Sequence, residues 1–307
     1  MFGVILILKN FFLLTLKKLK KPNMNYELCN EDNVYELADN QKSRQLFVTI
    51  LSAIEFIILL FSWRNKMTGW EPLWVVGVEV VNYFIGIFPG PDGFGSAGDL
   101  ILANGYRMPW LRFVGWLITC PVLLMGLVAM TTHGGNSPTV RLVPLLISNQ
   151  CMILCGITAS SYSNDMLKWM IYITAVSFGS VVFTMSAQCL LEMHKLCCRF
   201  RGYHKLRVQI CSCLYMVSFL LGWLCFPFAY TLGRPGTNLI YPETEEWFMV
   251  IGDLLSKNLF AALTVIIRHY ILPHCQDSEG STRRPSGIIN AETIAQLGLS
   301  KTMQTNP

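Results

Sequence analysis

The sequence contains seven predominantly apolar runs, and they restrict the chain to a helical bundle in a membrane. A helix needs about 20 predominantly apolar residues to cross the hydrocarbon core of a bilayer. The runs are 45–63, 72–88, 108–130, 139–161, 166–193, 208–232 and 247–270. The second run is short and ends at the sequence PGPDGFG, which is typical of a loop. We therefore predict an all-α membrane protein with seven transmembrane helices.

The composition agrees with this prediction. Charged residues make up 14% of the chain and hydrophobic residues 52%, whereas soluble domains carry about 25% charged residues. The net charge of +5 is small. The sequence contains no basic patch with interleaved aromatic residues, so we do not expect a nucleic-acid partner. We divide the chain into an N-terminal extracellular or leader segment (1–44), a seven-helix domain (45–274) and a flexible cytoplasmic tail (275–307).

The two ends of the chain carry further expectations. Residues 1–23 are apolar first and basic afterwards, the reverse of a secretory signal peptide. They form either a helix on the membrane surface or an extension upstream of a start at Met24. Most of the eleven cysteines lie inside apolar runs, but Cys29 lies in a polar segment. It is either a free thiol or the link between the two chains of a homodimer.

The short loops predict the orientation in the membrane. Five lysine and arginine residues lie between positions 195 and 207, after the fifth run, and basic residues also follow the first and seventh runs. Cytoplasmic loops carry an excess of lysine and arginine. We therefore expect a multi-pass protein of the plasma membrane with its N-terminus outside and its C-terminus in the cytoplasm.

The seventh run contains two ionisable residues in the sequence MVIGDLLSKNLFAALTVII. Lys257 lies about 15 Å into the predicted span, where a charged lysine costs several kcal/mol. Asp253 lies one turn earlier on the same helix face. The pair is either a structural ion pair or a lysine that forms a Schiff base with an aldehyde, with Asp253 as its counterion. Trp116, Trp223 and Phe226, on two other runs, are suited to line a slot for a polyene aldehyde.

Three stretches carry a family resemblance, namely WLRFVGWLITCPVLL in the third run, GWLCFPFAYTLG in the sixth and DLLSKN in the seventh. The short sequences GWE at 69–71 and LLIS at 145–148 extend it. The chain resembles the microbial rhodopsins, and among them most of all the anion-conducting channelrhodopsins. The resemblance implies all-trans retinal bound covalently at Lys257 and Asp253 as counterion. It also implies passive, light-gated ion flow between the first, second, third and seventh helices, and a transport function rather than an enzymatic one.

The resemblance also implies a retinal pocket. Its expected members are Trp116, Thr119, Cys120, Gly156, Trp223, Phe226, Pro227 and Ser256. Ser256 is expected to tune the colour through its dipole. Thr119 and Cys120 are either retinal contacts or a small polar pair that aids helix packing.

The residues at two positions argue against a proton pump. The proton-acceptor position of such pumps matches Gly115 and the proton-donor position matches Gly126. General-base chemistry needs a titratable group within reach, and glycine offers none. We therefore expect a channel.

The lining of the pathway predicts its ion. Cation-conducting relatives carry acids where this chain has Pro72, Gly86 and Gly90, and carboxylate rings favour cations. We therefore expect anions, chloride above all. The expected gate and pore residues are Ser52, Glu79, Asn258, Arg112, Gly115, Asn149, Glu71 and Arg268.

Several alternatives remain at this point. Glu79 is expected beside Ser52 and Asn258, in its neutral form in the conducting state, because burial disfavours the ionised form, which would oppose anions. A cation or proton channel would use Glu55, Glu71 and Glu79. A sensory rhodopsin that signals through a partner is the second alternative.

Overall fold

A computed structural model describes residues 31–90, 96–102, 107–131, 138–198 and 205–271. The expectations for residues 1–23, Cys29 and the tail 275–307 lie outside these ranges. Within them the chain forms seven helices. They are α1 (Glu31–Arg64), α2 (Glu71–Gly86), α3 (Trp110–Thr131), α4 (Pro138–Ser161), α5 (Asp165–Cys198), α6 (Lys205–Leu232) and α7 (Pro242–Ile271).

Six of the seven helices are long and apolar enough to cross a membrane. The exception by length is α2, which has 16 residues and corresponds to the run that the sequence marks as short. Pro72 lies in its first turn, where the missing N–H costs no helical hydrogen bond. The prediction of an all-α protein with a seven-helix membrane bundle is confirmed.

The connection between α2 and α3 contains a short antiparallel pair, β1 (Leu100–Ile101) and β2 (Arg107–Met108). It is the only pairing of named strands in the described ranges. The pair lies directly before α3, and Met108 is 1% exposed. The strand pair, through the buried Met108, therefore fixes the start of α3, the helix that carries Arg112 and Trp116.

The bundle has α3 near its centre and α1 at its edge. In their most apolar windows, 61% of the residues of α3 are buried but only 17% of those of α1. Phe47, Ile54 and Phe61 of α1 are more than half exposed, which suits a surface that contacts lipid tails. Tight packing between helices, rather than the exclusion of water, stabilises such a bundle in a bilayer.

A π-helical turn interrupts α7 at Leu254–Leu259. Such turns are rare and occur frequently at functional sites. This one carries Ser256, Lys257 and Asn258, all of which are buried. The wider turn therefore directs three consecutive polar side chains into the bundle.

Candidate functional site

The Lys257 side chain lies between two carboxylates. Its Nζ donates to Asp253 Oδ1 at 2.6 Å and also to Glu79 Oε1. All three residues are at most 1% exposed. The sequence identifies the Asp253 contact through the four-residue spacing. It does not identify the contact with Glu79, which comes from α2.

Asp253 is held by three further groups. Tyr83 Oη donates to Asp253 Oδ2 at 2.8 Å, and Trp116 Nε1 donates to Oδ1 at 3.1 Å. Arg112 Nε lies 3.4 Å from Oδ2. Together with Lys257, these donors stabilise the negative charge of a carboxylate that has no access to solvent. The sequence reasoning did not identify Tyr83, although its spacing of four residues from Glu79 places both on one face of α2.

A cavity of about 600 Å³ extends from Lys257 between α3, α4, α5 and α6. Aromatic rings line its walls, and the Trp116 and Phe226 ring centroids are 4.3 Å apart. Seven of the eight residues expected in a retinal pocket line it. They are Trp116, Cys120, Gly156, Trp223, Phe226, Pro227 and Ser256.

Thr119 is the eighth expected pocket residue, and it does not line this cavity. Its side chain is fully buried, and its hydroxyl donates to the Gly115 carbonyl at 2.8 Å. The difference from the expectation has a physical reason, because a hydroxyl bonded to its own helix contributes to packing rather than to the cavity wall.

The cavity has the shape and chemistry that an apolar polyene with one reactive aldehyde needs. Apart from the amine, its walls are mainly aromatic and aliphatic. At Gly156 a Cβ atom would meet no other atom within 4 Å, so the cavity has free width there. Lys257 offers the amine on the wall that α7 contributes. The residues present therefore fit retinal.

A second polar cluster connects α1 and α7. Asn258 Nδ2 donates to Ser52 Oγ at 2.9 Å and to Glu55 Oε2 at 2.8 Å. Among the described residues no hydrogen bond connects Glu79 with this cluster, because Glu79 bonds to Lys257 instead. Glu55 was not placed by the sequence reasoning. Its spacing of three residues from Ser52 is the signal that points to it.

At the N-terminal end of α2, Arg268 Nη1 donates to Glu71 Oε2 at 3.1 Å. The second guanidinium nitrogen, Nη2, donates to the Gly126 carbonyl at 3.0 Å. The exposed fractions of the Arg268 and Glu71 side chains are 9% and 5%. The pair fills the space beside Gly126, where a Cβ atom would lie 3.3 Å from Arg268 Nη2.

Asn149 is fully buried on α4, and neither of its side-chain polar atoms has a hydrogen-bond partner in the described part of the chain. The neighbouring Gln150 instead reaches α3, where its Nε2 donates to the Leu117 carbonyl at 3.0 Å. The structure thus buries Asn149 beside the bundle core without joining it to the cavity wall.

Comparisons with known proteins agree with this geometry. Residues 44–271 match the model of the family described as bacteriorhodopsin-like proteins. Halorhodopsin of Halorubrum sodomense is 26% identical over 174 residues, which are 56% of this chain and 55% of that protein. The chain thus spans about half the length of the curated relatives that it matches first.

Two solved structures are similar in fold. The red light-activated channelrhodopsin Chrimson has a TM-score of 0.63 and 21% identity, covering 86% of this chain and 89% of that one. Halorhodopsin, described as a light-driven chloride pump, has a TM-score of 0.54 and 17% identity, covering 73% of this chain and 93% of that one.

The family match covers α1 from residue 44 onward, the other six helices and the buried lysine. Rhodopsins of this family carry a retinal chromophore and act in the membrane. The chain therefore belongs to the family of bacteriorhodopsin-like proteins, the microbial rhodopsins.

Proposed function

We propose that this protein is a light-gated channel that carries all-trans retinal on Lys257 and passively conducts anions, chloride above all. One observation carries the proposal. At the two positions that match the proton acceptor and donor of a pump, the chain has glycines, and the space is filled by the Asn82 amide and the Arg268 guanidinium. Neither group accepts a proton at neutral pH. Asp253 and Glu79 could accept one from Lys257, but the chain has no acid at position 126, so the relay of a proton pump is incomplete.

Lys257 would hold retinal as a Schiff base, and the bound group would supply light absorption and a change of shape. The residues around the lysine have separate tasks. Asp253 is the counterion that balances the positive charge at Nζ, and Glu79 is a second acceptor on the opposite helix. Tyr83 and Trp116 orient the Asp253 carboxylate through their hydrogen bonds. Ser256 donates to the Gly252 carbonyl at 2.6 Å and places a dipole beside the lysine, which we propose tunes the colour.

The gate is proposed where α7 meets α1. Lys257 and Asn258 are consecutive residues of one π-helical turn, and Asn258 closes against Ser52 and Glu55. A displacement at Lys257 therefore acts directly on the contact that separates the two ends of the pathway. Arg112, Gly115 and Asn82 flank the pathway on one side of this gate. On the other side lie Glu71 and Arg268, and we retain Asn149 as a residue that affects gating.

Charge pairing supports anion selectivity. Asp253 and Glu79 share Lys257, Arg112 lies 3.4 Å from Asp253, and Glu71 bonds to Arg268, so three cations balance three carboxylates. Pores that lack free carboxylate rings and carry basic groups favour anions. The relevant cations here are Arg112, Lys257 and Arg268.

A light-gated cation or proton channel is the alternative, and Glu55 is the observation that favours it. Its carboxylate lies at the proposed gate, and no lysine or arginine of the described ranges forms a salt bridge with it. An ionised Glu55 would attract cations to the proposed gate.

Whole-cell voltage clamp under illumination separates these functions. External chloride is replaced by a large impermeant anion at constant sodium and pH. The proposal predicts that the reversal potential follows the chloride gradient. A reversal potential that follows sodium or pH instead would establish the alternative. Lys257→Ala is the control and should show neither current nor visible absorbance. A parent protein that is coloured but carries no current would indicate a sensory rhodopsin.

The arrangement of the whole chain is also proposed. We assign residues 1–44 to the extracellular side, 45–274 to the channel and 275–307 to a cytoplasmic tail, in the plasma membrane. We further propose a homodimer linked through Cys29. A Cys29→Ser variant should lose the dimer band on a non-reducing gel. An unchanged dimer band would contradict the link.

A further inference from the structure

The Asn258 amide uses both of its N–H groups. Nδ2 donates to Ser52 Oγ at 2.9 Å and to Glu55 Oε2 at 2.8 Å. A primary amide has two such hydrogens, so the donor capacity of Asn258 is exhausted. What remains of the amide is its oxygen, Oδ1.

Two oxygens of this cluster are left without donors. Asn258 Oδ1 and Glu55 Oε1 are buried, and neither has a hydrogen-bond partner among the residues that the structure describes. A buried polar atom without a partner costs about 1–3 kcal/mol, and folded proteins rarely leave one. Here two lone acceptors belong to a carboxyl group and an amide that already share one hydrogen bond.

The nearby cations are not available to Glu55. Lys257, the residue before Asn258, bonds to Asp253 and Glu79. Arg112 lies against the same aspartate. An ionised Glu55 would therefore be a charge at the α1–α7 contact without a compensating cation, which is far more costly than an unpaired neutral group.

A single proton on Glu55 Oε1 removes the uncompensated charge and also provides a partner for the unpaired oxygens. It turns Oε1 from an acceptor without a partner into a donor. A protonated carboxyl group has one O–H donor and keeps acceptor capacity on its other oxygen. The Oε2 atom can then continue to accept from Asn258 Nδ2, while Oε1 donates to the oxygen that has no donor.

We propose that Glu55 is protonated in the dark state and donates from Oε1 to Asn258 Oδ1, forming a paired acid–amide latch between α1 and α7. The latch has two opposed hydrogen bonds and no net charge. Its role in the channel rests on the proposed function. There, an uncharged latch would close the pathway without placing a negative charge that repels anions. The competing occupant of the same two oxygens is a monovalent cation, which would leave Glu55 ionised.

Infrared spectroscopy of the full-length, retinal-reconstituted protein tests the latch. The dark spectrum should contain a C=O stretching band of a protonated carboxylic acid that moves to lower frequency in D₂O. Glu55→Gln should remove this band, and Asn258→Ala should move it to higher frequency because the hydrogen bond to the carbonyl is lost. Identical dark spectra of the parent and Glu55→Gln proteins in this region would overturn the proposal. A carboxylate band of Glu55 that changes between sodium and a large organic cation would overturn it in favour of a bound ion.

Two substitutions that both remove the carboxylic acid form a matched pair. A glutamine at position 55 can still accept from Asn258 Nδ2 and donate to Oδ1, whereas an alanine can do neither. Glu55→Ala should therefore slow channel closing by roughly tenfold, the equivalent of about 1.4 kcal/mol. The Glu55→Gln channel should close at a rate much closer to that of the parent. Equal closing rates of the two variants would contradict the latch.

The test keeps the two proposals apart. A coloured protein with the acid band but no photocurrent would leave the latch in place and remove the channel. Chloride-dependent photocurrent without the acid band would keep the channel and remove the latch.

Discussion

The Asn82 side chain occupies the space that a side chain at position 115 would fill. A Cβ atom built on Gly115 would overlap Asn82 Nδ2. The same nitrogen is buried and has no acceptor among the described residues. Helices α2 and α3 thus approach each other closely at the point where a pump carries an acid on its third helix.

This relationship predicts the cost of a methyl group at position 115. Gly115→Ala should destabilise the protein by about 1–3 kcal/mol, the usual cost of overpacking a tightly packed interior. Thermal loss of the visible absorbance of the retinal-bound protein measures the effect as a lower transition temperature. Asn82→Ala should restore most of that temperature in the double variant, because it removes the atom that overlaps.

Asn82→Ala alone is the control, since it removes the overlapping amide without adding a methyl group at position 115. It should change the transition temperature much less than Gly115→Ala. Equal effects of the two single variants, or no rescue in the double variant, would contradict the proposed overlap.

The two carboxylates at Lys257 predict a pH effect on colour. A negative charge beside Nζ stabilises its protonated, visibly coloured form, so Asp253→Asn should cause the visible band to be lost at a lower pH than in the parent. Glu79→Gln should act in the same direction. The double variant should lose the band at a lower pH still, and a titration of absorbance against pH measures all four proteins. If Glu79→Gln leaves the midpoint of that titration unchanged, Glu79 does not act on the Lys257 charge.

The buried Arg268–Glu71 pair predicts a large loss for one substitution and a recovery for two. Arg268→Ala leaves the Glu71 carboxylate buried without its cation, which typically costs about 3–5 kcal/mol. The double variant Arg268→Ala/Glu71→Ala should recover most of this loss, because it removes both charges. Thermal unfolding of the two single variants and the double variant gives the coupling energy.

A second ion pair serves as the control. Arg141 Nη1 and Glu192 Oε2 are 2.6 Å apart, but their side chains are 29% and 44% exposed. Breaking such a pair typically costs at most about 1 kcal/mol. Similar losses for Arg141→Ala and Arg268→Ala would show that burial does not strengthen the Arg268–Glu71 interaction.

The sequence predicts those features that depend on one helix. The seven apolar runs gave the seven-helix bundle, and the four-residue spacing of Asp253 and Lys257 gave their contact, because both patterns are local. The contact of Glu79 with Lys257 depends on how α2 is rotated against α7, which no local spacing specifies. The same holds for Asn82, whose position beside Gly115 follows from the distance between α2 and α3.

The cluster of Ser52, Glu55 and Asn258 shows the limit most clearly. The sequence alone gave the pairing of Ser52 with Asn258 only through a family resemblance. It left the face of Glu55 open, because α1 exposes much of its apolar surface and its pattern does not define one inward face. The fold of the other helices decides that face.

We propose that the Lys257 amine carries the chromophore, and reconstitution of the purified protein with all-trans retinal tests this proposal. A visible absorption band should appear, and borohydride reduction should leave the retinyl group on the peptide that contains Lys257. Lys257→Ala should remain colourless under the same conditions. A parent protein that stays colourless, or a retinyl group on another residue, would disprove the proposal.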